Sequence, residues 1–286
     1  MRSLVSICVV VGALIFIWYL AAFSLNSTWA LDKAKRAGLE MSSKELILDT
    51  WSQDKPKLPA PHQVGVELWK TTIEKKITSK RSLIFHSWIT LSSTLLGFLI
   101  GTSLGILLAI GIVHNNAMNM SVMPWAIASQ TIPILAIAPM IIVVLNSIGV
   151  QGLLPKAIIS SYLCFFPVVV GMVKGLRSPD KIDTDLLHTY NASSVQKFWK
   201  LKLPTSIPFL FASLKVGISA SLVGAIVGEL PTGAVRGLGA RLLAGSYYGQ
   251  TIQIWSALIM AAMLAAALVG ILALLQKLTL KRMGMA

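Results

Sequence analysis

Charge is scarce in this sequence. Only 13% of its 286 residues are Asp, Glu, Lys or Arg, against 55% hydrophobic. Soluble domains carry roughly a quarter charged residues, so the composition is that of a membrane protein. Acid is scarcer still, with 11 acidic residues against 25 basic ones and a net charge of +14. On a chain this apolar, basic residues orient the protein and meet anionic headgroups, so a nucleic-acid partner is not expected. Cysteine is nearly absent. Cys8 and Cys164 both fall inside apolar runs, which argues against a disulfide framework or a metal site. The four histidines, His62, His86, His114 and His188, are scattered and read as polar or interfacial residues. No Gly-Lys pair occurs, which excludes the usual phosphate loop, and HExxH is missing too. The G-x-S-x-G match at Gly101–Gly105 lies inside a long apolar run, not at a strand-to-helix turn, so it is no nucleophile elbow. No cofactor, metal or catalytic residue is therefore expected, and the chain reads as something other than an enzyme.

What the sequence does have is long apolar runs. Residues 3–23 form the first, long enough to cross about 30 Å of hydrocarbon and followed by no clear small-x-small cleavage site. It reads as an uncleaved anchor, domain 1–23. Residues 24–86 are polar and charged. Further runs follow at about 88–113, 122–146, 153–173, 207–228 and 252–275. The expected fold is all-α and polytopic, with six transmembrane helices, the last five making a core over 87–286.

Lys and Arg in the short segments set the orientation. With the N-terminus inside, the inner segments hold Arg2, Lys174, Arg177, Lys181, Lys197, Lys200, Lys202, Lys277, Lys281 and Arg282. The short outer segments hold only Lys156, Arg236 and Arg241. Segment 24–86 carries eleven more basic residues, but also seven acidic ones, and loops of that length largely escape the rule. Both termini are thus expected inside, and 24–86 outside.

Two spans carry stripes of small residues. Gly97, Gly101, Gly105 and Ala109 repeat at four-residue spacing in the second span. In the fifth, Ser213, Gly217, Ser221 and Ala225 form one row, with Ala220, Gly224 and Gly228 beside it. Such rows let helix backbones approach closely in lipid. They fit packing within one subunit, and part of the fifth span also fits contact with a second copy or the lining of a path. The third span, MPWAIASQTIPILAIAP, holds Pro124, Pro133 and Pro139, with Gln130 and Thr131 beside a proline kink. Irregular backbone at that depth is tolerated only against protein or a wet cavity, and either reading stands. Lys215 and Glu229 are ionisable residues of the fifth span, and such residues default to a functional hypothesis. Lys215 is also close enough to the inner surface to snorkel, and Glu229 sits where water would solvate it. Gln130, Thr131, Pro133, Lys215 and Glu229 are the candidate path residues.

The inner loop 174–206 reads as two short helices. Ser178 is placed to cap the first, with Pro179 at the favoured first position. Asn191 tolerates the left-handed conformation that ends helices, and Ser193 with Gln196 makes a capping box for the second. Pro204 is expected to stop that second helix. Its mixture of Val195, Phe198, Trp199 and Leu201 with Lys197, Lys200 and Lys202 suits the headgroup layer. On these residues alone, the loop is an elbow against the inner face or only an amphipathic connector.

The spacing of this loop resembles the signature of ABC-importer permeases, E-A-A-x3-G-x9-I-x-L-P. Asp185, Leu186 and Leu187 stand at the E-A-A positions, Asn191 at the glycine and Leu201 at the isoleucine, and Leu203-Pro204 closes the match. Asn191-Ala192-Ser193 with the following Phe198 is similar to the family's G-A-S and phenylalanine. Asp for Glu keeps the charge, and Asn for Gly keeps access to the left-handed turn. Leu for Ala adds bulk on the face that docks on the ATPase in the family. The segments LPAPHQV (58–64), TIPILAIAPMIIVVLNSIG (131–149), GEL (228–230) and GLGARL (237–242) also resemble the family, in its nitrate/sulfonate/taurine-type subgroup.

The resemblance implies a multi-pass permease subunit of the bacterial inner membrane, most simply paired with a second copy in a homodimer. It implies cytoplasmic ATPase subunits and a periplasmic or lipid-anchored substrate-binding protein as partners, and a small polar or anionic solute. Sulfonate, taurine, nitrate, pyrimidine-type and riboflavin-type solutes all fall in that range. The loop would be a coupling elbow between helices 4 and 5, contacting the ATPase through Asp185, Leu186, Leu187, Asn191, Ala192, Ser193, Phe198, Leu201, Leu203 and Pro204. Such an elbow must shift an inward-open/outward-open equilibrium, and moving it from 1:99 to 99:1 takes about 5.5 kcal/mol. Two other classes stay open from the residues alone: a carrier or channel driven by an ion gradient, and a membrane assembly factor. The spans lack paired carboxylates for a proton relay and the matched broken segments of inverted-repeat carriers.

Overall fold

The computed structural model describes residues 2–38, 41–231 and 236–285. Among them there are helices, turns and bends and no β-strand. Five helices or continuous helical runs are long and apolar enough to cross a membrane: Val5–Ala37, Leu83–His114, Leu153–Leu176, Ser194–Glu229 and Thr251–Arg282. The pair Asn116–Ser129 and Ile134–Ser147, bent by 100° at its break, makes a sixth crossing if taken as one. We number the helices α1 (Arg2–Ala37), α2 (Ser43–Ser52), α3 (Pro61–Trp69), α4 (Leu83–His114), α5 (Asn116–Ser129) and α6 (Ile134–Ser147). Then follow α7 (Leu153–Leu176), α8 (Lys181–Thr189), α9 (Ser194–Lys197), α10 (Leu203–Glu229), α11 (Leu238–Tyr247) and α12 (Thr251–Arg282). The described residues fall into two compact units, one from 1–87 and 240–261, the other from 88–239 and 262–286.

In the first unit the apolar run at 3–23 does not mark the end of a helix, because α1 continues to Ala37. The polar stretch after it is ordered around one side chain. Asn26, fully buried, donates to the carbonyls of Thr50 (3.1 Å) and Leu58 (2.8 Å). Its Oδ1 accepts from the amides of Lys57 (2.9 Å) and Leu58 (3.2 Å). Four bonds saturate the amide, and they meet the rule that buried polar groups be paired. Trp18 donates to the Pro59 carbonyl (3.0 Å), and its ring lies 5.0 Å from that of Trp255. Tyr19 stands edge-on to Trp51 and bonds His62 at 3.1 Å. The PAP turn thereby becomes the start of α3, with Pro61 in its first turn.

In the second unit α7 is the central helix, apolar on nearly every side and heavily buried. The stripe on α4 packs on it. A Cβ at Gly101 would come within 2.8 Å of the Ser161 carbonyl and 2.9 Å of Cys164 Cβ. At Gly105 the limits are Phe165 O and Val168 Cβ, both 2.9 Å. Ala109 ends the row inside a cluster with Ile112, Val169, Met172, Val173 and Leu176. Both small-residue rows of α10 also face α7: Ser213 against Gly171, Gly217 against Cys164, Gly224 against Ser160, and Gly228 against Lys156. Ser160 donates to the Ser221 carbonyl (2.7 Å), and Ser221 in turn to the Thr94 carbonyl (2.8 Å). This small-residue surface is therefore packing within one chain. Van der Waals fit and a few hydroxyl bonds, each worth about 0.6 kcal/mol on average in lipid, hold the three helices together.

Lys156, expected in an outer loop, lies in the first turns of α7 and is buried. The third run is broken rather than kinked. α5 ends at Ser129, the chain turns through Gln130–Pro133, and Pro133 occupies the cap position of α6 with extended φ, ψ of −63° and 120°. Pro133 lacks an amide hydrogen, so no α5 bond is available at that point. Pro124 and Pro139, by contrast, sit inside α5 and α6.

Candidate functional site

The elbow begins where α7 ends. Ser178 turns its hydroxyl back to the Gly175 carbonyl (2.7 Å) and so closes α7. The expected cap is thereby corrected: Asp180, in extended conformation, is the residue before α8, and Pro179 lies outside it. α8 ends in a Schellman motif. Ala192 N–H donates to Leu187 O (2.9 Å) and Asn191 N–H to His188 O (2.9 Å) around Asn191 at φ 53°. Asn191 is the one described non-glycine residue with positive φ. Two residues later Ser193 accepts from Gln196 N–H (3.3 Å), while Gln196 Oε1 accepts from Ser193 N–H (2.8 Å), completing the capping box. Both limbs are thus fixed at their facing ends.

Pro204 does not stop the second limb. A π-helical turn over Phe198–Lys202 joins α9 to α10, and Ser194–Glu229 runs as one helix of 36 residues. The wider turn lets Leu203 N–H reach Phe198 O, and the Thr205 hydroxyl takes the Leu201 carbonyl (2.7 Å). The amide that Pro204 lacks is absorbed there, in the first turn, where proline is tolerated. Phe198 and Leu203 pack on the cluster of Ala109, Ile112, Met172 and Leu176, and the Phe198 ring lies 5.3 Å from that of His114. Beside it an apolar groove of about 190 Å³ is lined by Ile110, His114, Ser194, Val195, Phe198 and Trp199.

Of the sequence-derived elbow residues, Asp185, Leu186, Asn191 and Ser193 are exposed, and Leu187, Ala192, Phe198, Leu201, Leu203 and Pro204 are half-buried. Two more belong with them. Ile182 (80% exposed) and Tyr190 (77%) flank Leu186 (54%) at four-residue spacing, giving α8 a bare apolar ridge. That spacing was readable in the sequence.

The candidate path residues form three separate places. Gln130, Thr131 and Pro133 are exposed at the α5–α6 break, where the Thr131 hydroxyl holds the Ala128 carbonyl (2.8 Å). Tyr162 of α7 donates its hydroxyl to the Ser129 carbonyl, one of those left open by the break. Sequence reasoning passed over Tyr162, which has no motif around it. Lys215 is half-buried in α10. Glu229, fourteen residues on, is roughly 21 Å further along the same helix.

Glu229 is not solvated, as its place at the end of a span suggested. It is fully buried, accepting from the Thr90 hydroxyl (2.9 and 3.1 Å) and from Gly239 N–H (2.8 Å). Thr90 Oγ1 accepts in turn from Leu238 N–H (2.9 Å), and buried Lys156 acts on Glu229 electrostatically. The Glu229 side chain also fills the space beside Gly237 (φ 121°), so GLG at 237–239 is required by close approach. Among the described residues no group of three or more His, Cys, Asp or Glu could hold a metal ion.

Residues 101–285, which hold the elbow, the broken helix and Glu229, match the family described as "binding-protein-dependent transport system inner membrane component". The chain belongs to that family. It is 31% identical over 183 residues to the formylaminopyrimidine transport permease protein ThiX of Halalkalibacterium halodurans, covering 64% of this chain and 68% of that one. It is 28% identical over 224 residues to the riboflavin transport system permease protein RibX of Chloroflexus aurantiacus, covering 78% and 80%. With the putative aliphatic sulfonates transport permease protein SsuC of Bacillus subtilis it shares 23% over 207 residues, covering 72% and 73%. As an importer permease of this family it is a multi-pass inner-membrane protein, and its family works with ATPase and binding-protein partners.

Proposed function

We propose that this permease, paired with a second copy, forms the translocation path for a small polar or anionic solute and is driven through its elbow by cytoplasmic ATPase subunits. The similar permeases are named for formylaminopyrimidine, riboflavin, aliphatic sulfonates and nitrate, all small and polar. A periplasmic or lipid-anchored binding protein delivers the solute. The chain crosses six times with both termini inside: anchor 1–23, outer segment 24–86, and a core over 87–286 with coupling loop 174–206. Gln130, Thr131 and Pro133 at the helix break line the path, with Lys215 on α10, whose far end is anchored by buried Glu229.

The observation that carries this reading is the apolar ridge Ile182–Leu186–Tyr190 on a short helix capped at its C-terminal end by the Asn191 turn. A bare apolar ridge on a rigid elbow fits a groove on a partner, and burying it there supplies the differential affinity that a population shift needs. Asp185, Asn191, Ala192 and Ser193 fix its angle, while Leu187, Phe198, Leu201, Leu203 and Pro204 carry it onto the spans.

The test is reconstitution with a cognate ATPase and binding protein. Leu186→Asp is expected to leave insertion and dimerisation intact while reducing ATP-driven uptake by roughly tenfold or more, since it places a charge in a dry contact. Uptake by wild-type protein without any ATPase, or unchanged uptake by the variant, would remove the coupling role.

A further inference from the structure

A second built feature lies in the first unit and is not part of the coupling machinery. Glu67, Lys70, Thr71, Lys75, Arg81, Arg241, Gln250 and Gln253 line a cavity of about 350 Å³. Four of these eight are cationic and one is acidic, in a protein where charge is rare. Arg241 comes from α11, and its Nε is buried without a hydrogen-bond partner. An orphaned guanidinium donor is costly, and an acceptor entering the cavity would relieve that cost. Burial lowers the Arg241 pKa, with Glu67 opposing and Arg81 reinforcing that shift. Gln250 immediately precedes α12 and Gln253 is in its first turn, so the cavity also meets the N-terminal end of a 32-residue helix. Open amides and the helix dipole favour negative charge there.

The same segment has an apolar edge. Val66, Trp69 and Ile73 are exposed at helical spacing along α3 and the π-helical turn Lys70–Glu74, and Ile77 is exposed in the turn that follows. Apolar side chains interleaved with Lys70, Lys75, Lys76, Lys80 and Arg81 are the pattern of a segment lying at the headgroup level.

We propose that this cavity is an oxyanion site that takes a phosphate-type group, supplied by an anionic lipid headgroup or by a free small anion, through Arg241, Lys70, Lys75 and Arg81. Arg241 gives planar, paired donors and Lys70 and Lys75 give point charges. Gln250 and Gln253 give neutral donors that fix orientation. Glu67 limits occupancy to one such group by holding down the total positive charge.

The experiment uses the full-length protein and needs no ATPase. In detergent stripped of lipid, inorganic phosphate is titrated and thermal stability followed. In parallel, native mass spectrometry counts retained lipid after transfer from nanodiscs of phosphatidylcholine alone or with phosphatidylglycerol. Wild type is expected to gain stability with phosphate, retain phosphatidylglycerol over phosphatidylcholine, or both. Saturation by phosphate identifies a free anion as ligand; retention of phosphatidylglycerol alone identifies a headgroup. Lys70→Gln and Arg81→Gln, at exposed positions with little bearing on folding, and Arg241→Gln should each weaken the effect roughly tenfold. Lys33→Gln, outside the cavity, should not. Equal binding by all variants, or no anion effect in either arm, overturns the proposal. So does engagement only by the acidic surface of a binding protein.

Discussion

Asn26 and Asn191 are the same residue type doing opposite jobs. Asn26 is a buried amide with every donor and acceptor used, so Asn26→Leu strands two amides and two carbonyls of 50–58. The expected loss is about 3 kcal/mol or more, measurable as a lower midpoint in thermal unfolding of the purified protein. Nothing in the sequence marks Asn26, because its partners are backbone groups 24–32 positions away. Asn191 is local, and its role was legible from the left-handed tolerance of Asn between two helix signals. At φ 53° a branched side chain is strained. Asn191→Val should destabilise the elbow by about 1–2 kcal/mol and lower ATP-driven uptake, while Asn191→Gly keeps both. Equal uptake by the two variants would show that the elbow's angle does not matter.

At the scale of elements, the stripes of small residues foretold close helix packing, and the structure assigns them to α7. Gly101→Leu forces α4 away from Ser161 and Cys164, an overpacking cost of about 1–3 kcal/mol. Gly270→Leu on α12 meets nothing within 4 Å and should be neutral. Thermal midpoints of the two variants, compared with wild type in one detergent, check this; equal midpoints would mean α4 and α7 do not pack as described. Helix ends were less legible. Ser178-Pro179 satisfies every local rule for a helix start, yet the Ser178 hydroxyl is spent on Gly175 and α8 starts later. Pro204 satisfies the rule for a stop, yet one extra residue in the turn carries the helix through. Local rules rank alternatives that differ by about a kcal/mol, and packing of Phe198 and Leu203 on the core outweighs that.

For the whole molecule, the apolar runs located every membrane-length helix among the described residues, because hydrocarbon thickness imposes length directly on sequence. They did not mark the end of α1, since a helix continues past the apolar run wherever other chain segments satisfy it. The charge count assigned Lys156, a residue of the 153–173 run, to an outer segment although it lies in α7. The distribution of Lys and Arg carries a prediction at this scale. In a Cys8→Ser background, with Cys164 buried, Ser194→Cys should react with a membrane-impermeant maleimide only in inverted vesicles. Ser79→Cys should react only in intact spheroplasts. Reaction of both from one side would end the six-crossing arrangement with both termini inside.

The unbroken helix from Ser194 to Glu229 has a mechanical consequence. It works as a connecting rod: one end stands in the elbow, the other is clamped by Thr90 and Gly239. A stiff rod cannot be nudged at one end without moving the other, so whatever displaces Trp199 also tugs at the Glu229 clasp, with the width of the bilayer between them.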